Sequence, residues 1–239
     1  MADRQKGFTL VEAAIVLVVI GLLVGGVTAG QQLVRGAYLR KLISDNDGYR
    51  SAILGFSDRY ASMPGDYSRA SIHVRCQPAC LNGNGNQRVE TNATPIAGSE
   101  VHEELLVWSH LSGAGFISGN YVQVAGGTVP TLQNSPVNVF QRYWVFVYDG
   151  NFDTTPSGAM RHNLKTGNQI PVDFLQEIDA RIDDGLPNTG SFRFSALAFG
   201  GPAPVGGAPA APNCTSAATT TAVWNSTNGT QNCGAANLF

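Results

Sequence analysis

Residues 1–30 read MADRQKGFTLVEAAIVLVVIGLLVGGVTAG, and this stretch decides the fold. Between Phe8 and Gly30 the only ionisable residue is Glu12. The run is long enough to cross a bilayer, which takes about 20 apolar residues in a helix. Arg4 and Lys6 in the polar start place the N-terminus in the cytoplasm by the positive-inside rule. A carboxylate inside hydrocarbon costs several kcal/mol, so Glu12 calls for a function and a named partner. A cut after Gly7 would give Phe8 a new α-amine four residues before Glu12. A positive amine on a neighbouring copy could then neutralise the carboxylate.

Two plainer readings describe the same stretch. A basic start, an apolar run and a small-x-small site at Val27-Thr28-Ala29 describe a secretory signal peptide. A glutamate at the head of the apolar run is unfavourable for that reading. A plain signal anchor fits the topology and leaves Glu12 unexplained.

The residues around Glu12 resemble the type III signal of type IV pilins and of the pseudopilins of type II secretion. Gly7 falls on the residue before the prepilin peptidase cut. Phe8 falls on the first mature residue, which the family N-methylates. Thr9, Leu10 and Val11 fit the apolar segment that follows, and Glu12 falls on the family's glutamate for subunit registry. Gly21 matches a glycine common in the family's membrane helix. Ala29 stands where many pilins carry a helix-kinking proline, a departure that leans toward a pseudopilin. The resemblance implies inner-membrane insertion, cleavage, methylation and extraction into a helical filament. It also implies as partners other copies of the chain, prepilin peptidase, an inner-membrane assembly platform and minor pilins. The final location would be an extracellular pilus or a periplasmic pseudopilus.

Helical periodicity continues past Gly30. Val34, Tyr38, Leu42, Tyr49, Ile53, Phe56 and Tyr60 recur at spacings of three, four and seven, which is one face of an α-helix. Met63-Pro64-Gly65-Asp66 ends it, because the residue before proline avoids the α region and glycine favours a turn. The predicted helix is about 80 Å long. Its first half has no globular surface to lie against, so membrane or filament must cover it. Gly21/Gly25 and Gly26/Gly30 form GxxxG pairs, which allow close helix approach and are also simply frequent in membrane helices. Gly36, Gly48 and Gly55 weaken the second half, which therefore needs packing.

The chain has 239 residues and a net charge of −2, or −3 without residues 1–7. With no basic excess, bulk charge gives nucleic-acid binding no support. Only 13% of residues are charged, which suits a loop-rich exported surface. Cys76, Cys80, Cys214 and Cys233 are an even number in an exported chain, consistent with two disulfides. Neighbour pairing gives 76–80 and 214–233, though three connectivities are open. The second pair would close a C-terminal loop, as in many type IV pilins. CQPAC lacks the second ligand pair of a zinc site.

The sequence predicts an α+β, pilin-like fold: a long N-terminal helix packed on a small antiparallel-sheet head. Residues 1–7 are the leader, 8–30 the membrane or filament-core helix, and 31–62 its soluble half. Residues 63–199 form the head, and 200–239 a Pro/Gly linker and disulfide-bounded loop. The turn in residues 60–70 (YASMPGDYSRA) resembles one found in many prepilin-like proteins, as do NGNGN at 82–86 and the stretches 108–121 and 178–190. Ser99 is expected to cap a helix over 100–111, with Val101, Leu105 and Trp108 inward. Strands are expected over 121–124, 139–148 and 191–198, a turn or hairpin over 164–170, and a helix from Pro171 to about Ile182.

No catalytic spacing is present. His73, His102, His110 and His162 form no metal or triad pattern, and HExxH and GxSxG are absent. Asn82, Asn84 and Asn86 alternate like the start of a calcium loop without its acids. Asp183-Asp184-Gly185 could give oxygens to calcium, as in some major pseudopilins, or be a polar turn; no other cofactor is expected. The reading is a non-enzymatic filament subunit. The alternative is a minor, tip-located pilin whose head is an adhesin or binding module.

Overall fold

The computed structural model describes residues 9–90, 102–122, 129–152, 159–196, 211–216 and 221–239. Gly7, Phe8, Ser99 and Val101 lie outside these residues, as does most of the Pro/Gly linker. The chain divides into two compact units, Met1–Arg40 and Lys41–Phe239.

Helix α1 runs over Leu10–Tyr60, 51 residues, or about 76 Å. It ends where Ala61 takes φ +50°, the left-handed conformation that terminates helices, just before Met63-Pro64-Gly65. In the first unit, the side chains of Leu10, Ile15, Leu17, Leu22 and Leu23 are all exposed on the isolated chain. A helix apolar on every side needs lipid or other chains around it, and α1 is long and apolar enough to cross a membrane.

In the second unit, Leu42, Asn46, Ile53 and Phe56 form the buried stripe of α1. Tyr49 stands edge-on to Trp108 and Trp144 at centroid distances of 5.1 and 5.5 Å. Gly55 leaves room for the Phe116 ring, whose nearest atom would lie 2.9 Å from an added Cβ.

The head continues with α2 (Ala70–His73), α3 (Glu103–Gly113), β1 (Val145–Asp149), β2 (Arg161–Lys165), α4 (Val172–Ile182), β3 (Phe192–Phe194), α5 (Ala211–Cys214) and β4 (Ala235–Leu238). The four strands form one antiparallel sheet in the order β1-β2-β4-β3. Register pairs Phe146 with Leu164, Leu164 with Asn237, and Asn237 with Phe192. Helix α3 packs on β1 and α4 on β3. Trp108, Trp144, Phe146, Leu164, Phe192 and Phe194 are fully buried. This is the α+β, pilin-like architecture expected from the sequence.

Several boundaries differ from expectation. Helix α3 begins at Glu103, with His102 at its N-cap. The strand expected over 139–148 starts only at Val145. Asn138 is the reason: its Oδ1 accepts the Phe140 and Arg142 amides at 2.7 and 3.1 Å, and Gln141 takes φ +59°. That local turn holds the backbone out of the ladder. Tyr121 and Val122 are not in a strand. The segment 164–170 is divided between the end of β2, a turn, and Ile170, which bridges Cys233. Strand β3 is shortened to Phe192–Phe194. Strand β4, unforeseen, lies inside the sheet between β2 and β3.

Candidate functional site

At the start of α1, Thr9 and Glu12 bond to each other reciprocally. Glu12 Oε2 accepts the Thr9 amide at 2.9 Å and the Thr9 hydroxyl at 2.8 Å. Thr9 Oγ1 in turn accepts the Glu12 amide at 3.2 Å. This is a capping box: a Thr at the N-cap and a Glu three residues on satisfy two donors that the first helical turn leaves free. The carboxylate also sits at the positive end of the helix dipole. Glu12 therefore has a partner within its own chain. The T-x-x-E spacing is the signal that would have shown it.

Gly21, Gly25, Gly26 and Gly30 face open space, since a Cβ at any of them would meet nothing within 4 Å. Nothing among the described residues requires glycine there, so a packing role belongs to contacts with other molecules.

In the head, polar side chains are buried where the turn after α1 meets α3. His110 is fully buried. Its Nδ1 accepts the Gly65 amide at 2.9 Å, so Nε2 carries the proton and donates to the Leu81 carbonyl at 2.8 Å. Burial pushes its pKa down to about 4. Glu103 accepts the Asn84 amide at 2.8 Å and the Glu90 amide at 3.2 Å. Burial pushes its carboxyl up to about 7 against the pull of those two donors. Asp66 takes the Asn86 and Gln87 amides at 2.9 and 2.8 Å. Burial, only partly offset by these bonds, raises its pKa. His162, on β2, accepts the Val89 amide on Nε2 at 3.3 Å, and burial lowers it to about 4.

Glu103, Asp66 and His162 thus serve the backbone of residues 84–90, while His110 fastens Gly65 and Leu81 beside it. A Cβ on Gly83 would overlap Gly65 O and the Asp66 backbone. Gly65 takes φ +95°, and a Cβ there would lie 2.6 Å from Glu103 O. Nothing in the residue pattern gives away Glu103 and His110, because their partners are main-chain amides and carbonyls distant in sequence.

Cys76 is bonded to Cys80, and Cys214 to Cys233, with Cα separations of 5.0 and 5.8 Å. The second bridge ends one residue before the chain that leads into β4, and Cys233 pairs with Ile170 through both its N–H and C=O.

The carboxylates of Asp179, Asp183 and Asp184 have ligand atoms within 4.8 Å of one another. Each already accepts protein donors. Asp179 Oδ2 takes the Trp224 indole N–H at 2.6 Å. Asp183 Oδ2 takes the amides of Ser191 and Phe192 at 2.5 and 2.7 Å. Asp184 takes the Leu186 amide and the Thr189 hydroxyl. These bonds make the cluster a brace between α4, β3 and the C-terminal region.

A long apolar helix followed by a small antiparallel sheet defines a pilin-like class of protein. Residues 3–28 match the prokaryotic N-terminal methylation motif. The chain therefore carries the prepilin-type signal of type IV pilins and pseudopilins. No match was found among curated proteins or solved structures.

Proposed function

We propose that this chain is a structural subunit of a type IV pilus-like or type II secretion pseudopilus filament. The methylation motif over residues 3–28 carries this reading. It supports cutting by prepilin peptidase between Gly7 and Phe8 and methylation of the new Phe8 amine. The chain would enter the inner membrane through residues 8–30 and leave it into a fibre whose core is made of α1 helices. In that core Glu12 exchanges part of its bonding to Thr9 for the Phe8 amine of a neighbour. The Phe8 amine would add a full opposite charge, which the Thr9 amide and hydroxyl do not carry, and an unpaired buried carboxylate elsewhere penalises wrong registers. Open space around Gly21, Gly25, Gly26 and Gly30 supports close approach of neighbouring helices there.

Mass spectrometry of the mature N-terminus tests the processing steps. A methylated Phe8 first residue is expected, and a chain starting at Gly30, just after Ala29, would refute them. The amount of the chain in sheared filaments tests its place in the fibre. A main subunit dominates such a preparation, and a tip protein is present in trace.

A further inference from the structure

Residues 82–90 form neither helix nor strand, yet they are held from all sides. The Gly83 and Gly85 amides donate to the Tyr67 and Asp66 carbonyls at 3.1 and 2.9 Å. Asp66 and Glu103 hold the amides of residues 84, 86, 87 and 90. The Val89 carbonyl accepts the Tyr148 amide at 2.7 Å. Tyr148 lies on β1, which among the described residues has no strand on its outer side, so the strap lies against a sheet edge, the usual site of unwanted strand pairing.

One grip on the strap, and one on the turn and residue beside it, require a neutral imidazole. His162 Nε2 accepts Val89 N–H, and His110 Nδ1 accepts Gly65 N–H while Nε2 holds Leu81 O just before the strap. A protonated imidazole is a donor on both nitrogens and can accept neither amide. We propose that residues 82–90 are an acid-released strap: protonation of His162 and His110 sets N–H against N–H at Val89 and Gly65, frees the strap and uncovers the outer edge of β1 while the sheet stays folded.

The surrounding charges do not stabilise the imidazolium forms. His162 is stacked on Phe146 and flanked by Tyr148, with the Arg88 guanidinium over the Tyr148 ring at 5.2 Å. Asp149, across β1, is engaged by Lys165 at 2.5 Å and by Asn163 at 2.9 Å, and its register partner is Arg161. His110 is stacked on Phe56. The carboxylates at the adjoining grips are Glu103, Asp66 and Glu90, which repel one another. Glu103, at about 7, is neutral where the imidazoles begin to charge near 4. The strap therefore loses its imidazole acceptor, and the adjoining Gly65 turn loses its own, when Glu103 has no charge to offer in return.

The test is amide hydrogen exchange of the full chain in detergent micelles between about pH 6.5 and about pH 3.5, corrected for intrinsic rates. The expected result is a fall of about tenfold or more in protection over residues 83–90, with β2, β4 and residues 50–60 still protected. His162→Gln keeps an acceptor that does not titrate, so its Val89 amide should stay protected in acid. Strap protection unchanged at low pH, or lost only together with the sheet, would overturn the proposal. So would a H162Q strap as acid-sensitive as the unmodified one.

Discussion

His110 accepts the Gly65 amide on Nδ1 at 2.9 Å, which fastens the turn after the long helix to α3 through a buried, neutral ring. The other nitrogen holds Leu81 O, so one side chain joins three stretches of backbone. Replacing it with alanine leaves an amide and a carbonyl buried without partners and opens a cavity beside Phe56. Each orphaned group costs about 1–3 kcal/mol. His110→Ala should therefore lower unfolding stability by about 3 kcal/mol or more, read from the denaturant midpoint.

The pH dependence of stability follows from opposed pairs. Glu103 rises from 4.5 to about 7 and Asp179 from 3.8 to about 7 on folding, so the folded state binds their protons more tightly. Their contribution favours the fold in acid and is lost as pH rises through about 7. His110 and His162 fall from 6.5 to about 4, so their contribution is gained as pH rises from about 4 to 6.5. Between about pH 4.5 and 6.5 the two pairs oppose each other, and Asp66 and Glu104, whose carboxyls burial also raises, add to the falling side. Glu103→Gln removes one falling contribution. Relative to the unmodified chain, its stability should then climb over that window by about 1–2 kcal/mol, after allowance for solvent screening. Denaturant titrations at several pH values measure this directly.

Legibility in the sequence follows the range of the interaction. Helix α1 could be read because its stripe and its Pro64-Gly65 stop are local signals. The helix after Pro171 was readable for the same reason, and α4 ends at Ile182 as expected. Strand β4 was not readable, because Ala235-Ala236-Asn237-Leu238 contains no β-branched or aromatic residue. It is a strand because β2 and β3 supply its hydrogen bonds from both sides, and its small side chains fit a crowded centre. Glu103 and His110 look like solvated polar residues on a helix; among the described residues, 65 and 81–90 fold back over α3 and hold them in the interior.

The two disulfides should contribute unequally. Cys214–Cys233 closes a 19-residue separation, Cys76–Cys80 one of only 4. Chain entropy assigns about 3 kcal/mol to the longer loop and about 2 kcal/mol to the shorter. Removing the longer bridge also loosens the approach to β4, the strand that joins β2 to β3. The Cys214→Ser/Cys233→Ser chain should melt below the Cys76→Ser/Cys80→Ser chain, and calorimetry or thermal circular dichroism would rank them.

Thr9 and Glu12 pose a question that one substitution series answers. Glu12 both caps α1 and, in the proposed filament, supplies a negative charge to a neighbour. Glutamine keeps an oxygen for the Thr9 amide and lacks the charge. Alanine loses both, and Thr9→Val loses the hydroxyl bonds while keeping the carboxylate. A cap is worth about 1 kcal/mol and affects only the first turn. If charge pairing drives assembly, Glu12→Gln and Glu12→Ala should both reduce filament yield strongly, while Thr9→Val assembles nearly normally. All three chains should still insert in the membrane, since the apolar run is unchanged. Filament yield in Glu12→Gln equal to that of the unmodified chain would assign Glu12 to helix capping and remove the charge from the assembly mechanism.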